Sequence, residues 1–124
     1  MFKLIKDREV LWPVDIRTQV DGGTVDVERV QVRFRLMTRS EQAAYFVRLR
    51  AVQNDAPDAM EQLKAIVDDE LAKRITGWEN VYDADGAPIP FSADNLAILL
   101  DIQPAFEAVR DALTAASTGA LAKN

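Results

Sequence analysis

The chain is 124 residues long, carries 20 acidic and 15 basic side chains for a net charge of −5, and contains neither cysteine nor histidine. That length suits one domain, expected over residues 1–124, and 48% hydrophobic against 28% charged residues is the balance of a folded globular chain. The missing residue types exclude disulfides, thiolate nucleophiles, zinc fingers, a Ser-His-Asp triad and any imidazole base.

In chain order, Phe2, Leu4 and Ile5 are expected to add a short strand. From Trp12 the pattern alternates, with Trp12, Val14, Ile16, Thr18 and Val20 on one face and Pro13, Asp15, Arg17, Gln19 and Asp21 on the other, the period of a half-buried strand. Pro13 suits an edge strand because it cannot donate to a ladder. Asp21-Gly22-Gly23 turns the chain into a second strand carrying Val25 and Val27, then Val30, Val32, Phe34 and Leu36. The apolar parity slips between Val27 and Val30, which predicts a β-bulge near Glu28-Arg29.

At Thr38 the period changes. Thr38-Arg39-Ser40-Glu41 is a capping-box pattern ahead of a helix predicted over 40–53. Asn54-Asp55-Ala56-Pro57-Asp58 breaks that helix, and the next is expected to carry Met60, Leu63, Ile66, Val67, Leu71 and Ile75 on one stripe until Gly77 ends it. Asp85-Gly86 and two prolines make 77–91 an irregular loop. Ser92 reads as the N-cap of a short helix through Leu96, Leu99 and Leu100, and Pro104 opens a last helix with Phe106, Val109, Leu113 and Ala116 on its apolar face. The predicted fold class is α+β: an N-terminal antiparallel β-hairpin forming a small sheet over 1–37, then about four helices over 38–124.

Few side chains suggest chemistry. Asp83-Ala84-Asp85-Gly86 opens like a calcium loop, but Ala87, Pro88, Ile89 and Pro90 follow where further oxygen ligands belong, so it reads as a tight turn. Asp68-Asp69-Glu70 would point in different directions around a helix and reads as a solvated face rather than an acid/base pair. Gly22-Gly23 lacks the Lys-Ser/Thr and helix start of a phosphate loop. No enzyme activity, catalytic residue, metal or cofactor is therefore expected; the enzymatic alternative is a hydrolase working through carboxylates around Mg²⁺.

The arginines and aromatics leave two readings each. Arg33 and Arg35 project from the polar face of the second strand with Arg17 opposite, forming either a binding strip for an acidic partner or cross-strand pairs with Asp15, Asp26 and Glu28. Trp78, Tyr82 and Phe91 either pin the loop to the core or anchor a partner. Against an acidic pI near 4.7, the local basicity makes no nucleic-acid footprint. The apolar runs are too short to span a bilayer, and MFKLIKDREVLW gains charge too early for a signal peptide, so neither membrane nor export is expected.

The stretch Ile75-Thr76-Gly77-Trp78-Glu79-Asn80-Val81-Tyr82-Asp83-Ala84-Asp85-Gly86-Ala87-Pro88-Ile89-Pro90-Phe91-Ser92, followed by Asn95-Leu96 and Leu99-Leu100-Asp101, resembles the tail assembly chaperones of long-tailed bacteriophages and prophages. The shared pattern is a helix running into Gly-Trp, a Val, an acidic-Gly turn, a Pro-aliphatic-Pro-Phe-Ser run and a leucine-rich helix. The strand rich in Arg and Phe and the Thr-Arg-Ser-Glu helix start lie upstream of it. Asn80 stands where such sequences frequently have Gly. The resemblance implies a non-enzymatic protein of the bacterial host cytoplasm that holds the tape-measure protein soluble until tail-tube subunits polymerise, self-associates, and is absent from the mature virion. It also implies a longer form made by frameshifting. Under this reading Arg33, Arg35, Trp78, Tyr82 and Phe91 are the expected partner-binding residues. The alternative is a structural phage protein of the head–tail joining or tail-terminator type.

Overall fold

Strict alternation over the first third produces two long strands, β1 (Glu9–Val20) and β2 (Thr24–Arg35), in a computed structural model that describes residues 1–119. Gly22 and Gly23 turn the hairpin at φ +89° and +79°, which a Cβ would disfavour. Pairing runs unbroken from Glu9 opposite Arg35 to Val20 opposite Thr24, so the predicted bulge at Glu28-Arg29 is absent. The parity slip is instead accepted: Val25 and Val27 stay on the opposite face from Val30 and are 49% and 52% exposed. Residues 24–29 are all exposed, so this end of the hairpin is wet on both faces and burial does not dictate its facing. No strand forms at residues 2–5, and Phe2, Leu4 and Ile5 are exposed.

Helix α1 (Arg39–Arg50) starts on the predicted capping box: the Thr38 hydroxyl accepts from the Glu41 N–H, and the Glu41 carboxylate accepts from the Thr38 N–H. Helix α2 (Ala59–Arg74) buries Leu71 and half-buries Leu63, Ile66 and Val67, while Met60, placed on the same stripe by its spacing, is 78% exposed. The chain then enters β3 (Ile75–Glu79) without a linker. Ile75 thus leaves the expected helical stripe, and part of the expected loop 77–91 is strand. β3 pairs antiparallel with β2, Trp78 opposite Val32 and Gly77 opposite Arg33, with a register shift between Arg33 and Phe34.

The sheet order is β1-β2-β3, which leaves β1 and β3 as edges and suits Pro13 in β1. Helices α3 (Ala93–Leu100) and α4 (Gln103–Ser117) follow, the first capped by the Ser92 hydroxyl accepting from Asn95 N–H and the second with Pro104 in its first turn. α4 lies against β1. Its Val109 and Leu113 close a core with Val14, Val32, Phe34, Leu71 and Ile75. The described residues therefore form an α+β fold, one three-stranded antiparallel sheet with four helices. None of these helices is long and apolar enough to cross a membrane.

Candidate partner-binding surface

The face of the sheet turned away from the core carries the nominated arginines. Asp15 lies directly across from Arg29 and binds its guanidinium through both carboxylate oxygens, at 2.8 and 3.1 Å. That hydrogen bond, opposed by partial desolvation, holds the Asp15 carboxyl below its ordinary range. Arg33 stands exposed on the same face, between Leu11 and Gly77. Arg35 is half-buried and donates from Nη2 to the Lys73 carbonyl at 3.2 Å, satisfying an acceptor in the last turn of α2. Asp26 and Glu28 lie on the opposite parity, across from Thr18 and Ile16. Arg17 faces Val27, six positions along the strand from Arg33, which is about 20 Å. Among the described residues the geometry provides one cross-strand ion pair, Asp15–Arg29, and sets Arg17 apart from Arg33 and Arg35 rather than forming a continuous strip.

The aromatics divide as well. Trp78 and Phe91 meet edge to face, 5.2 Å between centroids, and the Trp78 indole N–H donates to the Ile89 carbonyl at 2.8 Å. They staple the segment after β3 to the sheet. That segment doubles back through Asp83, whose Oδ1 accepts from the N–H groups of Asp85 and Ala87, a tight Asx turn closed by Gly86 at φ +83°. Tyr82 is not brought to the other two rings; it is 54% exposed, and its hydroxyl donates to Asn80 Oδ1 at 3.4 Å. Asn80 adopts φ +66°, a left-handed conformation that glycine takes freely and asparagine tolerates best among the others.

The expected solvated carboxylate face of α2 is only partly so. Asp68 pairs with Lys64 at 2.6 Å, and Asp69 pairs with Lys73 and Arg48, each at 3.2 Å. Glu70 is buried, at 5% exposure, because Arg74 one turn later is buried too and donates to it from Nε at 2.9 Å. Arg74 also donates from Nη2 to Glu41 at 2.6 Å, tying the first turn of α1 to the last turn of α2. The Arg74 hydrogen bond, joined by the Thr38 N–H, pulls the Glu41 carboxyl from 4.5 to about 2. Among the described residues no group of three or more acidic side chains converges as a metal site would require.

That network draws attention to a surface the sequence reading did not nominate. α1 buries no residue at all, although Ala43-Ala44-Tyr45-Phe46-Val47 is apolar throughout. Five consecutive apolar residues encircle a helix, so one side cannot accommodate them all. Tyr45 and Leu49 turn inward and are half-buried, whereas Arg39, Ala43, Phe46, Val47 and Arg50 share the outward face and are exposed. Phe46 is 42% and Val47 59% exposed. The outward face is thus an apolar centre bracketed by two arginines along about 17 Å of helix.

Acid should loosen this arrangement. Because the folded Glu41 value lies below its unfolded one, its stabilisation is complete above about pH 4.5 and lost as the pH falls through about 2. The side chain is 38% exposed, so screening leaves about 1 to 2 kcal/mol of the full shift. Thermal melts of wild type and Glu41→Gln should therefore converge between pH 4.5 and 2, and curves that stay parallel there would contradict the pairing.

Comparison with known proteins identifies no family: no family model matches the chain, and no curated protein or solved structure matches it.

Proposed function

We propose that this protein is a phage tail assembly chaperone that binds the tape-measure protein in the host cytoplasm, keeps it soluble until tail-tube polymerisation, and does not remain in the virion. The observation that carries this reading is the outward face of α1. A short apolar stripe flanked by cations suits a partner helix that offers an apolar stripe between acidic residues, and a long helical protein awaiting its tube would present such stripes repeatedly. A second support is Asn80, left-handed at the position where the resembling family frequently carries glycine. Arg33 and Tyr82 are exposed, as partner contact at their own positions requires, whereas Trp78, Phe91 and Arg35 serve the scaffold by holding β3, the loop and α2 in place.

The test is co-expression with the tape-measure protein encoded nearby, followed by affinity capture. Wild type should bring the partner into solution. Phe46→Asp/Val47→Asp should weaken capture by about 2 kcal/mol or more, roughly thirtyfold, with a folded chain and only a small fall in melting temperature, since Phe46 is 42% and Val47 59% exposed. A partner that stays insoluble, with this chain recovered from finished virions, would favour the head–tail joining or tail-terminator type instead.

A further inference from the structure

The apolar residues of α1 are divided between its two sides. Successive residues turn about 100° around a helix, which places Tyr45, Leu49, Phe46, Ala43 and Val47 in that angular order as one broad stripe. In the fold the stripe is split at Phe46. Tyr45 and Leu49 are half-buried toward the rest of the molecule, and Ala43, Phe46 and Val47 are exposed. The Tyr45 and Phe46 rings lie side by side across the division, 5.7 Å between centroids. Only half of the face that could grip an apolar helix is therefore on offer while α1 stays in place.

What keeps it in place is mostly charge. Arg74 donates to Glu41, Arg48 pairs with Asp69, and the only inward apolar contacts of α1 among the described residues are those of half-buried Tyr45 and Leu49. α4, by contrast, buries Ala105, Val109, Leu113 and Ala116 and would forfeit the whole hydrophobic term on leaving. A buried ion pair has given up in desolvation much of what it gains in attraction, so separating it into water costs comparatively little. Lifting α1 would also let water reach Arg74 Nη1, a buried donor without a partner among the described residues. The ends of the helix suit a pivot. Met37 is buried and its N–H donates to Ser117 Oγ at 3.3 Å, which pins the chain just before Thr38. At the other end, the backbone N–H groups of Val52 and Ala56 bond only to carbonyls three residues back, so residues 51–58 are tied to their own neighbours.

We propose that α1 is a hinged strap: it swings off α2 about Thr38 and residues 51–58, and the partner helix takes the released strap, with Tyr45 and Leu49 joining Phe46 and Val47 in the contact. The inward side of α1 is then part of the binding surface, and the Glu41–Arg74 and Arg48–Asp69 pairs are the clasp that withholds it. This inference rests on the proposed function, which makes the α1 face the partner site. Capture then selects the lifted state and is weakened by whatever holds the strap down.

Amide hydrogen exchange of the whole chain in low urea tests the lifting. The α1 amides from Ala44 to Leu49 should exchange about a hundredfold faster than those of β1 and β2, with a shallow urea dependence because little surface is exposed. Equal protection and equal urea slopes in α1 and the sheet overturn the proposal. Arg48→Cys/Asp69→Cys tests the consequence, since both positions are exposed and the chain has no other cysteine. Bridging the two thiols with a short bismaleimide should slow α1 exchange and lower capture of the tape-measure protein by about tenfold or more, relative to the same variant with each thiol capped separately. Capture that the bridge leaves unchanged overturns the proposal but not the outward-face reading. Full capture by Phe46→Asp/Val47→Asp overturns that reading instead. If wild type captures nothing, the functional reading falls, and exchange alone decides whether α1 lifts.

Discussion

Arg74→Ala is expected to lower stability by about 3 to 5 kcal/mol, far more than an ordinary helix-surface arginine would. The guanidinium is 4% exposed and serves two carboxylates on different helices, Glu70 at 2.9 Å and Glu41 at 2.6 Å. Removing it leaves Glu70, itself 5% exposed, as a buried carboxylate without its cation. Arg74→Lys should recover only part of the loss, since one ammonium cannot reproduce a fork that spans two acceptors. The double variant Glu70→Leu/Arg74→Met removes more interactions yet should be the more stable of the two, because no buried charge is left behind. Urea unfolding of these variants decides the matter, and an Arg74→Ala cost below about 1 kcal/mol would mean that water screens the network as it does a surface pair.

The native arrangement is not fully satisfied. Among the described residues Arg74 Nη1 is buried and finds no hydrogen-bond partner, and an unmet donor costs about 1 to 3 kcal/mol. An apolar replacement would avoid that cost, so a reason to keep the ions other than stability is positional. α1 has no fully buried side chain, only half-buried Tyr45 and Leu49 and the exposed Arg48–Asp69 pair, so the buried Thr38–Glu41–Arg74–Glu70 linkage adds to how its outward face is held. On the proposed function, Glu70→Leu/Arg74→Met should therefore weaken partner capture even where it preserves the fold.

What could be read from the sequence was local. Thr38 with Glu41, Ser92 with Asn95, and Asp83 with Gly86 act within three residues, so their caps and turn are written in adjacent positions. The expected bulge is absent because parity dictates facing only where a strand is half-buried, whereas residues 24–29 have no core to face. β3 is hard to read because its pairing partner lies more than forty residues earlier, and its β-branched Ile75 and Thr76 follow a helical stripe directly and precede Gly77, as a helix end would. Glu70 and Arg74 have the spacing of any exposed helical ion pair, and their burial depends on what packs over them. Of the nominated surface residues, Arg35 is drawn inward by the Lys73 carbonyl, a contact no spacing encodes. The α1 face did have a sequence signal, the five-residue apolar run, though not its orientation.

Trp78→Ala is the other large expected effect, about 3 kcal/mol of stability, at the low end for a buried aromatic because the indole is only half-buried. Three losses combine: packing on the core face of β3 opposite Val32, the edge-to-face contact with Phe91, and the hydrogen bond to the Ile89 carbonyl. Trp78→Phe keeps a ring and gives up the N–H, so it should lose only about 1 kcal/mol. A double-mutant cycle with Phe91→Leu should give a coupling of about 0.5 to 1.5 kcal/mol, the range for aromatic pairs. Amide exchange should locate the damage, because without the staple the N–H groups of Asp83 and Ile89, bonded to the Ala87 and Val81 carbonyls, lose protection before those of β1 and β2 do. The alternative role makes the opposite set of predictions. If Trp78 instead anchors a partner, Trp78→Ala should leave stability and exchange nearly untouched while abolishing capture, and that combination would move the ring from the scaffold to the binding surface.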